Sequence, residues 1–285
     1  MNKTTWLLGA CASALLLSAC GGGSSDSSTS STVSVSSVTT DQLAYRKVTN
    51  MTITGKNLDK GINISNPGCL KITEVAGGTA TQRIFSCKMV AVGTVSVAIT
   101  AGDGSSLYSG SLTIPLAAQP QVTMVTSLGT LVIELNPAKA PITVDNFLNY
   151  TESGFYVNKI FHRVISNFVI QGGGYTADLQ QATTSAAIKL EASNGLSNTR
   201  GTIAMARLSS PVDSATSQFF FNVVDNSSIL DASTTNSGYA VFGKVVTGLD
   251  VMDNIKAVPT STVTSVGMTD VPVTPVVINS MVQTQ

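Results

Sequence analysis

An arginine, a phenylalanine and a glutamine stand at fixed offsets in one apolar, strand-like stretch of the chain, as Arg163, Phe168 and Gln171. Such a stretch rarely carries a guanidinium and an amide without a use for them, because polar groups are costly to bury unpaired. A second stretch, Ser-Gln-Phe-Phe-Phe at residues 217–221, repeats the mixture of amide and aromatic residues. Together the two predict an apolar pocket with a few polar groups that orient a ligand, as in sites for small molecules or peptides.

The only histidine of the chain, His162, directly precedes Arg163. A serine–histidine–aspartate triad would have to use it, yet the sequence has no GxSxG-type turn for a nucleophile. We therefore expect His162 to pack in the protein core. The glycines at 172–174 lack the sequence context of a phosphate-binding loop, so we expect them to permit a close turn.

The composition argues against several classes of protein. Only 11% of the 285 residues are charged, the net charge is zero and no basic stripe is present, so nucleic-acid binding has little support. One histidine and no CxxC spacing argue against a metal site, and no feature calls for a cofactor. No apolar run reaches the roughly 18 residues of a membrane span. The length suggests about two domains.

The N-terminus has the pattern of a targeting segment. Lys3 precedes a short apolar stretch at residues 6–17, and Leu-Ser-Ala-Cys follows at residues 17–20. A cysteine directly after small residues at the cleavage point resembles the bacterial lipobox. We therefore expect residues 1–19 to be a lipoprotein signal peptide and Cys20 to carry the lipid, with an ordinary secretory signal as the alternative.

The residues after the predicted anchor indicate its surroundings. Gly21 follows Cys20, which by resemblance to enterobacterial lipoproteins favours the outer membrane. Residues 20–32 are almost wholly Gly, Ser and Thr and predict a flexible tether. Cys69 and Cys87 then remain as an even pair in an oxidising compartment, which predicts a disulfide. Two buried thiols are the alternative.

Residues 33–117 consist of short Val-, Ile- and Thr-rich segments separated by Gly, Asn and Asp turns. Strands spaced in this way predict an all-β sandwich. The turn at residues 52–58 resembles the GxNL turn of IPT/TIG-type immunoglobulin-like domains. Nothing in the segment points to catalysis, so a spacer or adhesion module is the better interpretation.

The pattern changes after a predicted boundary at residues 116–120. A hairpin is predicted at residues 122–135, a helix that opens at Pro141, and a second helix at residues 249–255. Eight or so strands with two helices predict a closed barrel that is capped at its ends. The fold class is therefore dominated by β-structure, with a sandwich followed by a barrel.

Four blocks within residues 120–285 resemble the cyclophilin family in order and spacing. They are residues 161–173, 198–206, 217–220 and 239–245. The likeness is nearest to the bacterial periplasmic members. The resemblance implies an eight-stranded closed barrel with two capping helices, and peptidyl-prolyl cis–trans isomerase (rotamase) activity.

The resemblance also implies roles for single residues. Arg163 matches the donor near the prolyl nitrogen, and Gln171 matches the glutamine that orients the arginine and the substrate carbonyl. The predicted substrate-binding positions are Phe168, Val169, Met205, Ala206, Arg207, Gln218, Phe220, Leu230 and Tyr239. Among them, Phe168, Val169, Phe220 and Leu230 match the wall of the proline pocket.

The combined prediction is an isomerase that assists the folding of exported proteins. We expect a monomer, lipid-anchored in the bacterial cell envelope and facing the periplasm, whose partners are proline-containing segments of envelope proteins. Two alternatives stay open. The barrel domain could be a module that binds proline peptides with little turnover, or the chain could be an adhesive surface lipoprotein whose function lies in the sandwich.

Overall fold

The computed structural model describes residues 32–116 and 118–285. The predicted signal peptide, Cys20 and nearly all of the predicted tether lie outside these residues. Within the described ranges, no helix is long and apolar enough to cross a membrane.

Seven strands lie within the described residues 32–116. They are β1 (Ser34–Thr40), β2 (Val48–Lys56), β3 (Ile62–Ser65), β4 (Thr73–Glu74), β5 (Gln82–Lys88), β6 (Gly93–Ala101) and β7 (Ser106–Ile114). One sheet has the order β1-β2-β5-β4 and the other β3-β6-β7. Met51, Ile53 and Phe85 of the first sheet share a buried cluster with Ile99 and Ile114 of the second. Two sheets around one apolar core are compatible with the predicted sandwich.

The structure contains the predicted disulfide between Cys69 and Cys87. Cys87 lies near the end of β5, and the backbone of Cys69 forms a single β-bridge with Met89. The bond therefore fastens the loop before β4 to the long strand β5.

Ten strands follow residue 117. They are β8 (Gln121–Thr126), β9 (Gly129–Leu135), β10 (Ile160–Val164), β11 (Val169–Gly172), β12 (Thr202–Met205), β13 (Phe219–Asn222), β14 (Val241–Thr247), β15 (Thr260–Val263), β16 (Met268–Pro272) and β17 (Val276–Gln283). Eight of them close a barrel in the order β10-β11-β13-β12-β14-β9-β8-β17, and β17 pairs back to β10. The predicted closed eight-stranded barrel is confirmed, while β15 and β16 form a separate hairpin.

Three helices accompany the barrel: α1 (Pro141–Glu152), α2 (Ser227–Leu230) and α3 (Leu249–Lys256). Pro141 occupies the first turn of α1, where its missing N–H costs nothing. The face that carries Val144, Phe147 and Leu148 is buried in the barrel core. α1 and α3 correspond to the two predicted helices, whereas the four-residue α2 is too short to show an apolar period.

The barrel core is rich in aromatic rings. Phe219 and Phe221 of β13 pack there against Phe147, Tyr156 and Phe161. Phe220, between them in sequence, belongs to a separate cluster on the other face of the sheet. Successive side chains of a strand point to opposite faces, so one aromatic of the three faces away from the core.

Candidate functional site

One lateral row of residues crosses five neighbouring strands of the barrel. Arg163 on β10 pairs with Gln171 on β11, and Gln171 pairs with Phe220 on β13. Phe220 pairs with Ala204 on β12, which pairs with Val241 on β14. Residues directly opposite each other in paired strands point to the same face. The row therefore places a guanidinium, an amide and three apolar side chains next to one another.

The apolar part of the row is the centre of a second buried cluster, which we call the outer cluster. Its buried members are Val169, Ala204, Phe220, Leu230 and Val241, and Phe168, Leu196, Ala206 and Tyr239 pack against them while partly exposed. The Tyr239 ring meets Phe220 edge to face, with 5.6 Å between ring centroids. Partly exposed apolar groups over a buried apolar floor form a surface that can hold an apolar ring out of water.

Arg163, at the polar end of the row, has few partners. Its Nη1 donates one long hydrogen bond, 3.5 Å, to Oε1 of Gln171. Among the residues that the structure describes, Arg163 forms no ion pair. Because a guanidinium has five N–H donors, most of them remain available to a ligand that lies on the outer cluster.

Gln171 is held by hydrogen bonds that link it to other polar side chains. Its Nε2 donates to Oε1 of Gln218 at 2.9 Å, and Gln218 is also hydrogen-bonded to His162. Since the amide of Gln171 is held on one side by Gln218, its oxygen is presented towards Arg163. These hydrogen bonds thus set the position of the Gln171 amide beside the guanidinium of Arg163.

His162 is buried, with 4% of its surface exposed, and its ring lies 4.6 Å from the ring of Tyr175. Burial, and then the charge of Arg163, lower the pKa of His162 to about 4, against a smaller opposite effect of the hydrogen bond with Gln218. His162 is therefore neutral at physiological pH. The pairing of β10 shifts register between Phe161 and Arg163, so simple alternation does not describe this strand.

The glycine run at residues 172–174 makes room for Gln218. Gly173 adopts φ +84°, a left-handed conformation that favours glycine. A Cβ on Gly174 would lie 2.6 Å from Cγ of Gln218. A larger residue at position 174 would displace the side chain that holds Gln171.

Arg207 has a different role from Arg163. Its guanidinium carbon lies 4.7 Å from the centroid of the Tyr239 ring. Its Nε donates to the carbonyl of Gly238 at 2.8 Å, and its Nη1 donates to the carbonyl of Leu208 at 2.7 Å. Arg207 therefore stacks on Tyr239 and fixes the two loops at the edge of the outer cluster.

Asn198 and Asp231 hold two members of the outer cluster in place. The fully buried Asn198 donates from Nδ2 to the carbonyls of Leu230 and Tyr239, at 3.2 and 3.3 Å, and to Oδ1 of Asp231 at 2.8 Å. Asp231 also accepts hydrogen bonds from the hydroxyl of Ser197 and the backbone N–H of Asn198. Burial alone would raise the pKa of Asp231, but the hydrogen bonds from Ser197 and Asn198 bring it below its usual value.

Most of the residues predicted from the sequence come together here. The lateral row, the hydrogen bonds of Gln171 and Gln218, and the outer cluster with its edge bring together ten of them. These are Arg163, Gln171, Phe168, Val169, Ala206, Arg207, Gln218, Phe220, Leu230 and Tyr239. Met205 lies elsewhere: it pairs with Phe219 and belongs to the barrel core. It alternates along the chain with Ala204 and Ala206, so it points to the opposite face.

Several residues of the candidate site were missed by the sequence analysis. Ala204 could have been found, because it lies two residues from Ala206 and so shares its face. Leu196 and Val241 reach the outer cluster only through folding, and no local pattern marks them. Asn198 lies in one of the four recognised blocks, but its contacts to Leu230 and Tyr239 become visible only in the structure.

The site has the parts to bind a ligand and to polarise a group beside it. An apolar ring can rest on the outer cluster while the donors of Arg163 reach an oxygen or nitrogen beside it. The arrangement suits a proline-containing peptide whose amide geometry changes without breaking a bond.

Comparison with known proteins identifies the family. The family model described as "Cyclophilin type peptidyl-prolyl cis-trans isomerase/CLD" matches residues 121–283. A "Peptidyl-prolyl cis-trans isomerase" of Acinetobacter baylyi is 59% identical over 145 residues, which cover 51% of this chain and 76% of that protein. "Peptidyl-prolyl cis-trans isomerase cyp18" of Streptomyces antibioticus is 56% identical over 161 residues, or 56% and 95% of the two chains. "Peptidyl-prolyl cis-trans isomerase A" of Dickeya dadantii is 48% identical over 175 residues, or 61% and 90%. The matched family region spans more than half of the chain and contains the whole barrel, so the chain belongs to the cyclophilin-type peptidyl-prolyl cis–trans isomerases.

Proposed function

We propose that this isomerase turns over X-Pro bonds of proteins in the bacterial envelope, and that Arg163 and Gln171 are its catalytic residues. The observation that carries the proposal is the lateral row, in which the guanidinium of Arg163 and the amide of Gln171 adjoin the apolar side chain of Phe220. Family membership supports the type of reaction, and the row supports the assignment of residues to it.

The reaction is a rotation about the X-Pro bond, so the protein does not need to make or break a covalent bond. Rotation about a peptide bond crosses a barrier of about 18–20 kcal/mol that is set by amide resonance. The cis and trans isomers of an X-Pro bond differ by only about 0.5–1 kcal/mol. Resonance is lost at the twisted geometry, so the prolyl nitrogen regains a lone pair and can accept a hydrogen bond. An enzyme that binds this geometry more tightly than the planar amide lowers the barrier.

Each part of the site has a place in that reaction. The outer cluster holds the proline ring on Phe220 and keeps water from the reacting bond. Arg163 donates to the prolyl nitrogen as it becomes an acceptor, and its planar fork of donors can also reach the neighbouring carbonyl. Gln171 holds the arginine and is itself held by Gln218.

The first experiment separates an enzyme from a binding module. Isomerisation of a proline-containing peptide is followed by NMR exchange with catalytic amounts of the purified full-length chain. We expect exchange that increases in proportion to enzyme concentration at a large excess of peptide. A chain that binds the peptide yet leaves its exchange rate at the uncatalysed value would favour the binding module. If envelope proteins fold equally well when the isomerase activity of this chain is removed, the adhesive surface lipoprotein would be the better interpretation.

We also propose that Cys20 anchors the chain by a lipid to the outer membrane, with the isomerase facing the periplasm. The lipobox-like Leu-Ser-Ala-Cys at residues 17–20 and the Gly/Ser tether support this location. A disulfide between Cys69 and Cys87 suits an oxidising compartment.

Replacement of the anchor in a Cys20→Ser variant should shift the protein from the membrane fraction to the soluble envelope fraction and abolish labelling by a fatty-acid analogue. Labelling that persists in the variant would overturn the anchor assignment.

We expect the enzyme to act as a monomer on exported proteins. The contacts within one chain complete the outer cluster, and every member of it comes from the barrel domain, from its strands, its loops or α2. The proposed partners are unfolded, proline-containing segments of envelope proteins.

A further inference from the structure

Two cations of the sandwich meet one buried carboxylate of the barrel domain. Nε of Arg46 lies 2.8 Å from Oδ1 of Asp145, and Nζ of Lys88 lies 2.6 Å from the same oxygen. The Asp145 side chain is only 1% exposed. A carboxylate can be buried to this extent only when charges and hydrogen bonds compensate it, and here both cations come from the other domain.

The remaining donors of Arg46 are also paired. Its Nη1 and Nη2 donate to the two carboxylate oxygens of Glu152 at 2.5 and 3.0 Å, and Nη2 donates to Oδ1 of Asn149 at 2.7 Å. Lys88 Nζ donates to the same Asn149 oxygen at 3.2 Å. Asp145, Asn149 and Glu152 recur every three to four residues on α1, which places them on one face of the helix. We call these five residues the clasp.

The backbone around Arg46 is built to hold its side chain there. Arg46 adopts φ +57°, which is uncommon for a residue other than glycine. Its N–H donates to the carbonyl of Met89 at 2.7 Å. The neighbouring Tyr45 packs against the cores of both domains. Strained conformations persist where their surroundings determine them strongly, and here the surroundings include both domains.

We infer that the clasp locks the sandwich and the barrel into one rigid unit, so that the sandwich is a support that holds the isomerase face in a fixed orientation. The surface of α1 that carries Asp145, Asn149 and Glu152 is thus an interaction surface, and its partner is the sandwich of the same chain. The docked sandwich contributes no residue to the outer cluster.

The test removes both cations and measures separation of the domains. The clasp variant is Arg46→Gln with Lys88→Gln in the full-length chain. The matched control is Arg200→Gln with Lys256→Gln, because these two cations also share one carboxylate, Asp253, at 2.7 and 2.8 Å. That carboxylate is 39% exposed and lies in the barrel domain with both its partners. Both variants lose two positive charges, but only the clasp variant loses them between the domains.

Two readouts follow the separation of the domains: the radius of gyration from small-angle scattering, and the rate of cleavage by a non-specific protease between residues 114 and 121. We expect cleavage of the clasp variant to be at least about tenfold faster than that of the wild type, because an unpaired buried carboxylate costs more than the free energy that corresponds to a factor of ten. We also expect a larger radius of gyration, and no change of either quantity in the control.

A third variant covers a failure of the clasp variant to fold. Adding Asp145→Asn removes the unpaired carboxylate, so circular dichroism should show both domains folded while cleavage stays faster than in the wild type. Wild-type cleavage rate and radius of gyration in a folded clasp or triple variant would overturn the inference. Equal acceleration in the clasp variant and the surface control would overturn it as well.

Discussion

Arg163 lies half-buried at the end of the row, with a single long hydrogen bond to Gln171 among the described residues. A guanidinium in this position has donors to offer, and the apolar side chains beside it leave a bound peptide as the acceptor. Arg207 and Arg46 show the contrast, because their donors are taken up by backbone carbonyls and by carboxylates. The difference in pairing separates the proposed catalytic arginine from the structural ones.

The pKa of His162 gives a prediction at the scale of one residue. The folded pKa of about 4 lies below the value of 6.5 for a free histidine, because burial opposes the charged form. The stabilising effect of a neutral His162 is therefore complete above pH 6.5 and is lost as the pH falls from 6.5 towards 4. We expect the wild type to lose about 3 kcal/mol of unfolding free energy from this group over that range.

Urea unfolding of the wild type and a His162→Gln variant at pH 7.5 and pH 4 measures this loss. Because the chain has one histidine, the variant should lack the part of the decline that starts near pH 6.5. Identical declines in both proteins would contradict the assignment. The same pKa predicts that the isomerase rate of the wild type stays flat between pH 5.5 and 8.

At the scale of elements, the site depends on how short segments are tied to the barrel. α2 has only four residues and ends at Leu230, a buried member of the outer cluster. Such a helix has little stability of its own. Its position is set by Asn198 and by Asp231, which follows it directly.

The pKa of Asp231 predicts how this tie responds to pH. Hydrogen bonds hold its folded pKa below the usual value, so they stabilise the protein above the unfolded pKa and the gain is lost as the pH falls through the folded one. An Asp231→Asn variant should be about 1 kcal/mol less stable than the wild type at pH 7. Unfolding of both proteins in urea should show this difference shrink below about pH 4. A difference that is constant between pH 7 and pH 2.5 would show that the carboxylate charge is not responsible.

How far the sequence predicts the site depends on the range of the pattern. Alternation along one strand is local, and it correctly sends Phe220 away from the core that holds Phe219 and Phe221. The same rule, applied to β12, would have placed Met205 inside and Ala204 outside. The lateral row needs β13 to lie between β11 and β12, and this order depends on contacts that are distant in sequence. The clasp could not be predicted from the sequence for the same reason, since Arg46 and Asp145 are far apart along the chain.

At the scale of the whole molecule, the sandwich and the barrel domain have separate buried cores. The relative from Streptomyces antibioticus matches over 95% of its own length while covering only 56% of this chain. A protein of this family can thus consist almost wholly of the barrel. In this chain the sandwich contacts the barrel domain through the clasp, and none of its residues belongs to the outer cluster.

Removal of the disulfide should therefore separate stability from activity. Cys69 and Cys87 are 18 residues apart, and the closed loop should stabilise the sandwich by about 3 kcal/mol. A Cys69→Ser with Cys87→Ser variant is expected to unfold its sandwich at a lower urea concentration. Its kcat/KM in the absence of urea should change less than about twofold, because the outer cluster lies entirely in the barrel domain. A parallel loss of activity would contradict this independence.

The most direct test of the central claim is the ratio of kcat/KM between the wild type and Arg163→Ala in the same isomerisation assay. Arg200→Ala is the matched control, because Arg200 is a surface arginine paired with Asp253. Loss of a donor that acts on the transition state predicts a decrease of about 10²-fold or more for Arg163→Ala, with peptide affinity much less affected and the control unchanged. Equal kcat/KM for the wild type and Arg163→Ala would contradict the assignment of catalysis to this row.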